Sequence, residues 1–366
     1  MLTAAIFPCR YVQGAGAIQT LGDELAKLGK NAIILIDPFV EDHLGSSILA
    51  SCEGKINSYK IRFTGECSDE EIARINNEVN AQGFKADIIV GIGGGKTIDT
   101  TRAFAADLNL PTAIVSTLAA TDAPCSSVSV VYTPDGEFKR VIISRNPLLV
   151  LVDSQIVADA PARFLVSGMG DALATWFEAE DCGANFAPTI AGTPPTKSAL
   201  VLARLCYDTL IEFGLQAKQA CEQHVVTQAL DWVIEANTLL SGIGFESGGL
   251  SGAHSIHDGF TVLEPTHTML HGEKVAFGTL CQLMLTGRSQ ELIDEVYSFC
   301  ESVGLPTTLA DINLPNVCDE ELMNVAEFAC RPEHDIHHQP RPVTAQDVFA
   351  AIKAADAEGK RRKMEK

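Results

Sequence analysis

The side chains with the clearest potential for chemistry are an aspartate and four histidines in the second half of the chain. They lie in three segments where a potential metal ligand stands beside small residues: GMGDALATW (168–176), AHSIHDG (253–259) and HTMLHGEKVAFG (267–278). One carboxylate and two imidazoles from separate helices form a site that suits zinc and leaves positions open for water or substrate. His254 and His257 are three residues apart, and His267 and His271 are four apart, so either pair can share a helix face. The pattern predicts a metal site, but spacing alone does not select its histidines.

A glycine-rich turn, GIGGGKTID at residues 91–99, follows the apolar run ADIIV and is a candidate phosphate-binding loop. The Walker A form needs a glycine where Val90 stands, and the Rossmann form needs one where Lys96 stands, so neither fits. The turn still suits a pyrophosphate, because glycines let the backbone come close and a helix N-terminus adds partial positive charge. The alternative is a tight turn between a strand and a helix that binds nothing.

Asp37 stands at the carboxyl end of the apolar run AIILID, residues 32–37. An acid in this position can accept both hydroxyls of an adenosine ribose, and the alternative is an exposed turn residue. The spacing from Gly14 and Gly16 to Asp37 is close to that of a Rossmann motif, but the third glycine is replaced by Gln19. We therefore interpret the two glycines as the tight entry into the first helix and Asp37 as a candidate ribose ligand.

A further histidine-rich stretch, HDIHH at residues 334–338, lies in a polar connection beside prolines. We interpret it as a loop rather than as a metal site. The sequence assigns no role to His334, His337 or His338.

The composition favours small-molecule chemistry. There are 47 acidic and 27 basic residues, and the resulting net charge of −20 would repel nucleic acid and anionic membrane surfaces. The 11 cysteines include no CxxC pair, which argues against a zinc finger or a disulfide framework. The first residues do not resemble a signal peptide, and no run of about 18 apolar residues occurs. We therefore expect a cytoplasmic protein.

The elements that must position these residues change in character near residue 160. Four nearly all-apolar runs are typical of parallel strands covered on both faces: AIILID (32–37), ADIIVGI (86–92), PTAIVST (111–117) and LLVLVD (148–153). SVSVVYT and KRVIIS flank the turn residues Pro134-Asp135-Gly136 and predict a hairpin. Long helical patterns follow from Pro161 onward. The sequence predicts an α/β domain with a parallel sheet at residues 1–160 and an all-helical domain at residues 161–366.

Five motifs together carry a family resemblance: GIGGGKTIDT, STLAATDAPCSSVSVVYT, GMGDALATWFEA, GFESGGLSGAHSIHDG and HGEKVAFGTL. They span nearly the whole chain and resemble, in content and order, the glycerol dehydrogenases of the iron-containing (group III) alcohol dehydrogenase superfamily. The resemblance implies a dehydroquinate synthase-like architecture. Its N-terminal α/β domain would bind NAD, and its C-terminal all-α domain would bind metal and substrate.

The resemblance also implies the metal ligands, which by motif position are Asp171, His254 and His271. The same three residues would take part in catalysis, with His257 and His267 as neighbours. Iron-binding relatives carry a histidine four residues after the aspartate, where this sequence has Thr175. This departure favours a three-ligand zinc site.

Asp122, within TDAPCS, falls at the position that the family associates with substrate and is implied as a catalytic residue. Further positions would bind the cofactor: Asp37, Gly94, Gly95, Lys96, Thr117, Ala120, Ser126, Val128 and Tyr132. In this interpretation Gly94 and Gly95 allow close approach of the pyrophosphate, and Lys96 adds a positive charge.

The implied activity is NAD- and zinc-dependent oxidation of glycerol and related vicinal diols, with dihydroxyacetone as the product from glycerol. A hydride would pass from a metal-bound alkoxide to the nicotinamide, because zinc lowers the pKa of a bound hydroxyl. One alternative is another NAD- and metal-dependent polyol dehydrogenase. Another is a sugar-phosphate cyclase resembling dehydroquinate synthase, but its phosphate needs several basic side chains, and the ligand-bearing segments offer only Lys274. Relatives also imply a homo-oligomer, possibly an octamer.

Overall fold

The computed structural model of the chain describes residues 2–134 and 138–365. The chain divides into two compact units. The first, here called the α/β unit, comprises Phe7–Ala160 and Gln223–Val226; the second, the helical unit, comprises Met1–Ile6, Pro161–Glu222 and Thr227–Lys366.

The α/β unit contains eight strands in its described part. They are β1 (Tyr11–Gly14), β2 (Asn31–Ile36), β3 (Asn57–Arg62), β4 (Ile88–Gly93), β5 (Thr112–Ser116), β6 (Val128–Tyr132), β7 (Phe138–Ile143) and β8 (Leu149–Asp153). Six of them form a sheet in the order β1-β8-β5-β4-β2-β3, with every neighbouring pair parallel. β6 and β7 form a separate antiparallel ribbon. The ribbon agrees with the predicted hairpin, although Asp135 and Gly136 of its predicted turn lie outside the described residues.

Apolar side chains cover both faces of the sheet. Successive residues of a strand point to opposite faces, so Ile34 and Ile36 of β2 enter one core and Ile33 and Leu35 enter the other. The helices of this unit are α1 (Leu21–Leu25), α2 (Pro38–Cys52), α3 (Asp69–Gln82), α4 (Gly95–Leu108) and α5 (Ser154–Asp159). The nearly continuous apolar runs are therefore buried parallel strands, as the sequence predicts.

The helical unit contains nine α-helices in its described part. They are α6 (Ala162–Asn185), α7 (Lys197–Glu222), α8 (Gln228–Glu235), α9 (Ser241–Gly248), α10 (Gly252–Phe260), α11 (His271–Leu285), α12 (Gln290–Val303), α13 (Asp319–Ala329) and α14 (Ala345–Met364). A π-helical turn at Ala236–Leu240 joins α8 to α9. α6 packs against α7, α9 and α11, while α10 packs against α11. Within the described residues, none of these helices is long and apolar enough to cross a membrane. The predicted fold class, a parallel-sheet α/β part followed by a helical part, is confirmed.

Candidate metal and cofactor sites

Three helices of the helical unit bring one carboxylate and two imidazoles together. Asp171 lies in α6, His254 in α10 and His271 at the first position of α11. Nε2 of His254 is 3.3 Å from Asp171 Oδ1, and Nε2 of His271 is 3.1 Å from the same oxygen. One potential ligand atom from each residue lies within 4.8 Å of the other two. The structure thus gathers the three residues that the family resemblance implies as metal ligands.

Glycines allow the helices to approach closely enough for this arrangement. A Cβ on Gly272, next to His271, would lie 1.8 Å from the carbonyl oxygen of Ser167 in α6, and one on Gly170 would lie 2.3 Å from the carbonyl oxygen of Gly272. Between α10 and α11, a Cβ on Gly278 would lie 2.4 Å from the carbonyl oxygen of Ala253. The packing of these helices therefore requires small residues beside the three candidate ligands.

The electrostatic environment of the cluster favours a cation. Burial opposes ionisation of Asp171, but the facing imidazoles of His271 and His254 outweigh it and hold the pKa of this carboxyl well below its usual range. Burial would lower the pKa of His254, whereas Glu178 and Asp171 on either side of the ring raise it well above its usual value. Two buried carboxylates around one imidazole thus favour positive charge at this point. The donor set of one carboxylate oxygen and two imidazole nitrogens fits Zn2+.

Thr175, one helical turn after Asp171, is buried and directed towards α9. Its Oγ1 lies 2.9 Å from Oγ of Ser241, so the two hydroxyls share a hydrogen bond. A Cβ on Gly244 would lie 2.2 Å from Cγ2 of Thr175, which shows how tightly α9 covers this position. An imidazole at position 175 would have to displace α9.

His257 and His267 lie outside the group of three candidate ligands. His257 Nδ1 is 3.0 Å from Asp258 Oδ1, and its ring packs edge-on against His271 with centroids 4.4 Å apart. Burial, together with the neighbouring imidazole of His271, lowers the pKa of His257 to about 3. His267 is exposed, and its Nε2 is 2.9 Å from the carbonyl oxygen of Thr261. Neither side chain joins the three residues described above.

The HDIHH stretch is a 3-10 turn at Asp335–His338 rather than a second metal cluster among the described residues. His334 pairs with Asp258, with Nδ1 3.3 Å from Oδ2. His337 donates from Nε2 to the carbonyl oxygen of Arg331, and His338 donates from Nδ1 to that of Leu250. These histidines hold the turn in place.

Glu178 belongs to the site but is absent from the sequence interpretation. Its side chain is fully buried and its Oε2 accepts a 2.6 Å hydrogen bond from Nδ1 of His254. The sequence does contain a signal: Asp171 and Glu178 are seven residues apart and separated mostly by apolar residues. This spacing places the two acids on one face of the helix. The sequence does not say which helix that face meets.

The glycine-rich turn connects β4 to α4 in the α/β unit. Two of its glycines are closely packed and two face open space. A Cβ on Gly91 would lie 2.3 Å from a neighbouring side chain, and one on Gly93 would lie 2.8 Å from another. A Cβ on Gly95 would meet nothing within 4 Å, and one on Gly94 would meet only Leu118, at 3.4 Å. The first turn of α4 carries no acid. Gly94 and Gly95 therefore leave space at a helix N-terminus, which is the setting that a pyrophosphate requires.

Two other cofactor candidates have partners that the sequence does not reveal. Nζ of Lys96 is 2.6 Å from Oε2 of Glu66 in an ion pair whose lysine side chain is 59% exposed, so an incoming anion must compete with Glu66 for the charge. Asp37 caps α2, since its Oδ1 accepts hydrogen bonds from the backbone N–H groups of Phe39 and Val40. Asp37 also lies beside Gly93, whose added Cβ would be 2.8 Å from the Asp37 Cβ.

Asp37 and the glycine turn lie at the topological switch point of the sheet. β2 and β4 are adjacent, and the chain leaves β2 for β3 on one side before it returns to β4 on the other. Dinucleotides bind at such points, outside the carboxyl ends of the strands. The sheet order therefore places the ribose candidate and the pyrophosphate candidate next to each other.

The remaining cofactor candidates follow β5 along the chain: Thr117, Ala120, Ser126, Val128 and Tyr132. The backbone N–H of Thr117 donates to the carbonyl oxygen of Gly93, at 3.2 Å, and ties this segment to the glycine turn. Oγ of Ser126 accepts a hydrogen bond from the N–H of Val128 at the start of β6. All five positions thus belong to the chain segment that follows β5 in the α/β unit, and its first residue contacts the glycine turn.

Asp122 precedes a 3-10 turn at Ala123–Cys125 and makes no capping hydrogen bond to it through its side chain. The segment is anchored by the fully buried Arg102 of α4, which donates to the carbonyl oxygen of Ala123 and to the carboxylate of Asp99. Because the side chain of Asp122 makes no capping hydrogen bond, the structure does not show a capping role for this residue.

Comparisons with known proteins agree with the fold. The family model of the iron-containing alcohol dehydrogenases matches residues 8–154. The chain is 57% identical to a glycerol dehydrogenase of Thermotoga maritima over 99% of both chains, and 48% identical to one of Pseudomonas putida over 96% of both. It superimposes on the crystal structure of a probable glycerol dehydrogenase from Sinorhizobium meliloti 1021 with a TM-score of 0.92 and 45% identity, covering 98% of this chain and 99% of the other.

The chain belongs to the iron-containing alcohol dehydrogenase family and is an oxidoreductase. The two curated relatives named above are glycerol dehydrogenases, and each match covers nearly the full length of both chains. They confirm the resemblance found in the sequence motifs.

Proposed function

We propose that the protein is an NAD- and zinc-dependent dehydrogenase that oxidises glycerol, and related vicinal diols, to the corresponding ketone. The overall reaction transfers a hydride from C2 of glycerol to NAD+ and releases a proton, giving dihydroxyacetone and NADH. The observation that carries the proposal is the convergence of Asp171, His254 and His271, whose ligand atoms lie within 4.8 Å of one another. The glycerol dehydrogenases among the relatives support the choice of substrate.

In this proposal the helical unit binds the metal and the substrate. Asp171 Oδ1 and the Nε2 atoms of His254 and His271 would hold the cation, and three protein ligands leave a position open for a substrate hydroxyl. A zinc ion bound there would supply Lewis acidity, which lowers the pKa of a hydroxyl group. Asp122 would orient the diol by accepting a hydrogen bond from a further hydroxyl. The packing of Thr175 against α9 supports a three-ligand zinc site over the form with an additional histidine.

The α/β unit would bind NAD. The N–H groups at the start of α4 would hold the pyrophosphate, with Gly94 and Gly95 leaving room for it and Lys96 contributing charge. The carboxylate of Asp37 would accept the ribose hydroxyls and repel the 2′-phosphate of NADP. The loop positions from Thr117 to Tyr132 would line the cofactor.

The proposal is tested by measuring NADH formation with glycerol, other vicinal diols and simple alcohols, before and after chelation. We expect turnover to favour vicinal diols, to stop on chelation and to return with added Zn2+. Equal turnover of simple alcohols would point to another alcohol dehydrogenase, and activity that survives complete metal removal would refute the metal dependence.

The cytoplasmic location and the homo-oligomeric, possibly octameric, state are further parts of the proposal. Light scattering coupled to size-exclusion chromatography measures the oligomer directly.

A further inference from the structure

We propose that Glu178 is a positioning residue that fixes the tautomer of His254 and thereby sets the metal affinity of the site. This inference rests on the metal dependence of the proposed function. It concerns how the chain holds the ligand ready, and Glu178 itself would not touch the metal or the substrate.

Three hydrogen-bond donors converge on the Glu178 carboxylate. Oε1 accepts the backbone N–H groups of Ser251 and His254, at 2.9 and 3.0 Å, and Oε2 accepts Nδ1–H of His254 at 2.6 Å. The side chain is fully buried, so water does not share these bonds. A carboxylate suits this arrangement because both of its oxygens are acceptors.

The imidazole of His254 spans two acids on one helix. Its Nδ1 faces Glu178 and its Nε2 faces Asp171, and the two acids are seven residues, about two turns, apart in α6. Because Nδ1 keeps the proton that it donates to Glu178, the proton that a metal displaces is the one on Nε2, and that nitrogen then offers its lone pair to the cation. The same carboxylate holds the first turn of α10 through its two backbone bonds. One side chain thus fixes both the position of His254 and the nitrogen that it offers.

Glutamine cannot reproduce this arrangement, although it has nearly the shape of glutamate. Its amide provides one acceptor oxygen and one donor group, whereas the site presents three donors. If the amide oxygen of the substituted side chain accepts the two backbone N–H groups, the NH2 group faces Nδ1 of His254 and drives the proton to Nε2. If the amide is rotated by 180°, its oxygen accepts Nδ1–H of His254, but the backbone N–H groups of Ser251 and His254 then face the NH2 group and have no acceptor. Either orientation disturbs the ligand or the helix that carries it.

The test compares Glu178→Gln with a matched control, Asp181→Asn. Asp181 is a second buried acid of α6, and its bonds go to Gln282, Ser251 and Arg288 rather than to His254. The dissociation constant for Zn2+ is measured on the full-length chain by competition with a chromophoric chelator, together with the melting temperature of the metal-free form. Glu178→Gln should weaken zinc binding by about 10- to 100-fold, whereas Asp181→Asn should change it by less than about threefold. The melting temperature checks that both metal-free variants are folded.

Glu178→Asp separates hydrogen-bond chemistry from shape. Aspartate is shorter but still offers only acceptors, so it should bind zinc more tightly than the glutamine variant; better binding by the glutamine variant would indicate a packing role and overturn the inference. Unchanged zinc affinity in Glu178→Gln, or an equal loss in Asp181→Asn, would also overturn it. A wild-type chain that binds no zinc would instead refute the proposed metal dependence and this inference with it.

Discussion

Replacing Gly272 with alanine tests whether the contact between α6 and α11 builds the metal site. An alanine Cβ would lie 1.8 Å from the carbonyl oxygen of Ser167, and real Cβ contacts essentially never fall below 3.0 Å, so the two backbones must separate by at least 1.2 Å, the difference between these distances. His271 is the adjacent residue and its Nε2 is only 3.1 Å from Asp171 Oδ1, so the ring moves with the backbone. Metal–ligand distances tolerate about ±0.2 Å. The backbone separation is therefore several times larger than the variation that metal–ligand distances tolerate.

We expect Gly272→Ala to lower zinc affinity by at least about 10-fold and kcat/KM for glycerol by about 100-fold, the scale associated with a 1 Å misplacement. Overpacking costs about 1–3 kcal/mol of stability, partly offset by the gain of up to about 1 kcal/mol from replacing glycine in a helix. The matched control is Gly183→Ala in α6, whose added Cβ meets only the movable end of Leu200, at 3.3 Å, and which should keep wild-type zinc affinity. Zinc competition, steady-state kinetics and thermal unfolding measure the three quantities. Wild-type zinc affinity in Gly272→Ala would refute the reasoning.

Four further predictions concern other parts of the chain. Asp171→Asn should lose bound metal and activity together, whereas His257→Ala should retain its metal; metal analysis of both proteins distinguishes a ligand from a neighbour. Asp37→Gly should weaken NAD binding and narrow the preference for NAD over NADP, because it removes an acceptor for the ribose hydroxyls and a charge that repels a 2′-phosphate; equal kcat/KM for the two cofactors in the wild type would contradict this role. Asp122→Asn should lower kcat/KM for glycerol by about ten- to a hundredfold, the worth of one charge-assisted hydrogen bond, with NAD affinity and melting temperature nearly unchanged. Burial raises the pKa of Asp181 to about 6, so the folded state binds its proton more tightly than the unfolded state does, and stability should fall as pH rises from about 4 to about 6. Asp181→Asn should remove this pH-dependent contribution, which is about 3 kcal/mol for a shift of about two pKa units. Denaturant unfolding of both proteins at several pH values measures it, and the same pH dependence in the variant and the wild type would contradict the reasoning.

The sequence predicts the interior of the sheet better than its edges. β2, β4, β5 and β8 are nearly all apolar because helices cover both of their faces, so composition alone reveals them. β1 and β3 are the two edge strands, and the sequence analysis does not identify them. β1 has only four residues, and β3, NSYKIR, has a largely polar sequence with only one fully buried side chain. A short or solvated strand carries little of the pattern that identifies a buried one.

Within the candidate sites, the motifs identify the candidate ligand and cofactor residues, but they do not predict the side chains that position those residues. Asp171, His254 and His271 stand in recognisable motifs, whereas the role of Glu178 depends on α10 packing against one particular face of α6. The partner of Lys96 is likewise invisible in the sequence, because Glu66 is 30 residues earlier and reaches it only through the fold. Contacts between distant segments are set by packing, which a single sequence does not specify.

The three residues of the candidate metal cluster also bear on how the chain folds. Asp171 and His271 are 100 residues apart, with His254 between them, so an unfolded chain must close long loops before the three groups can meet. A cation that binds only the assembled helices stabilises the native state and has little affinity for the unfolded chain. Zinc bound at this cluster would therefore connect α6, α10 and α11. In addition to its role in the reaction, it would slow unfolding of the protein and increase its resistance to thermal inactivation.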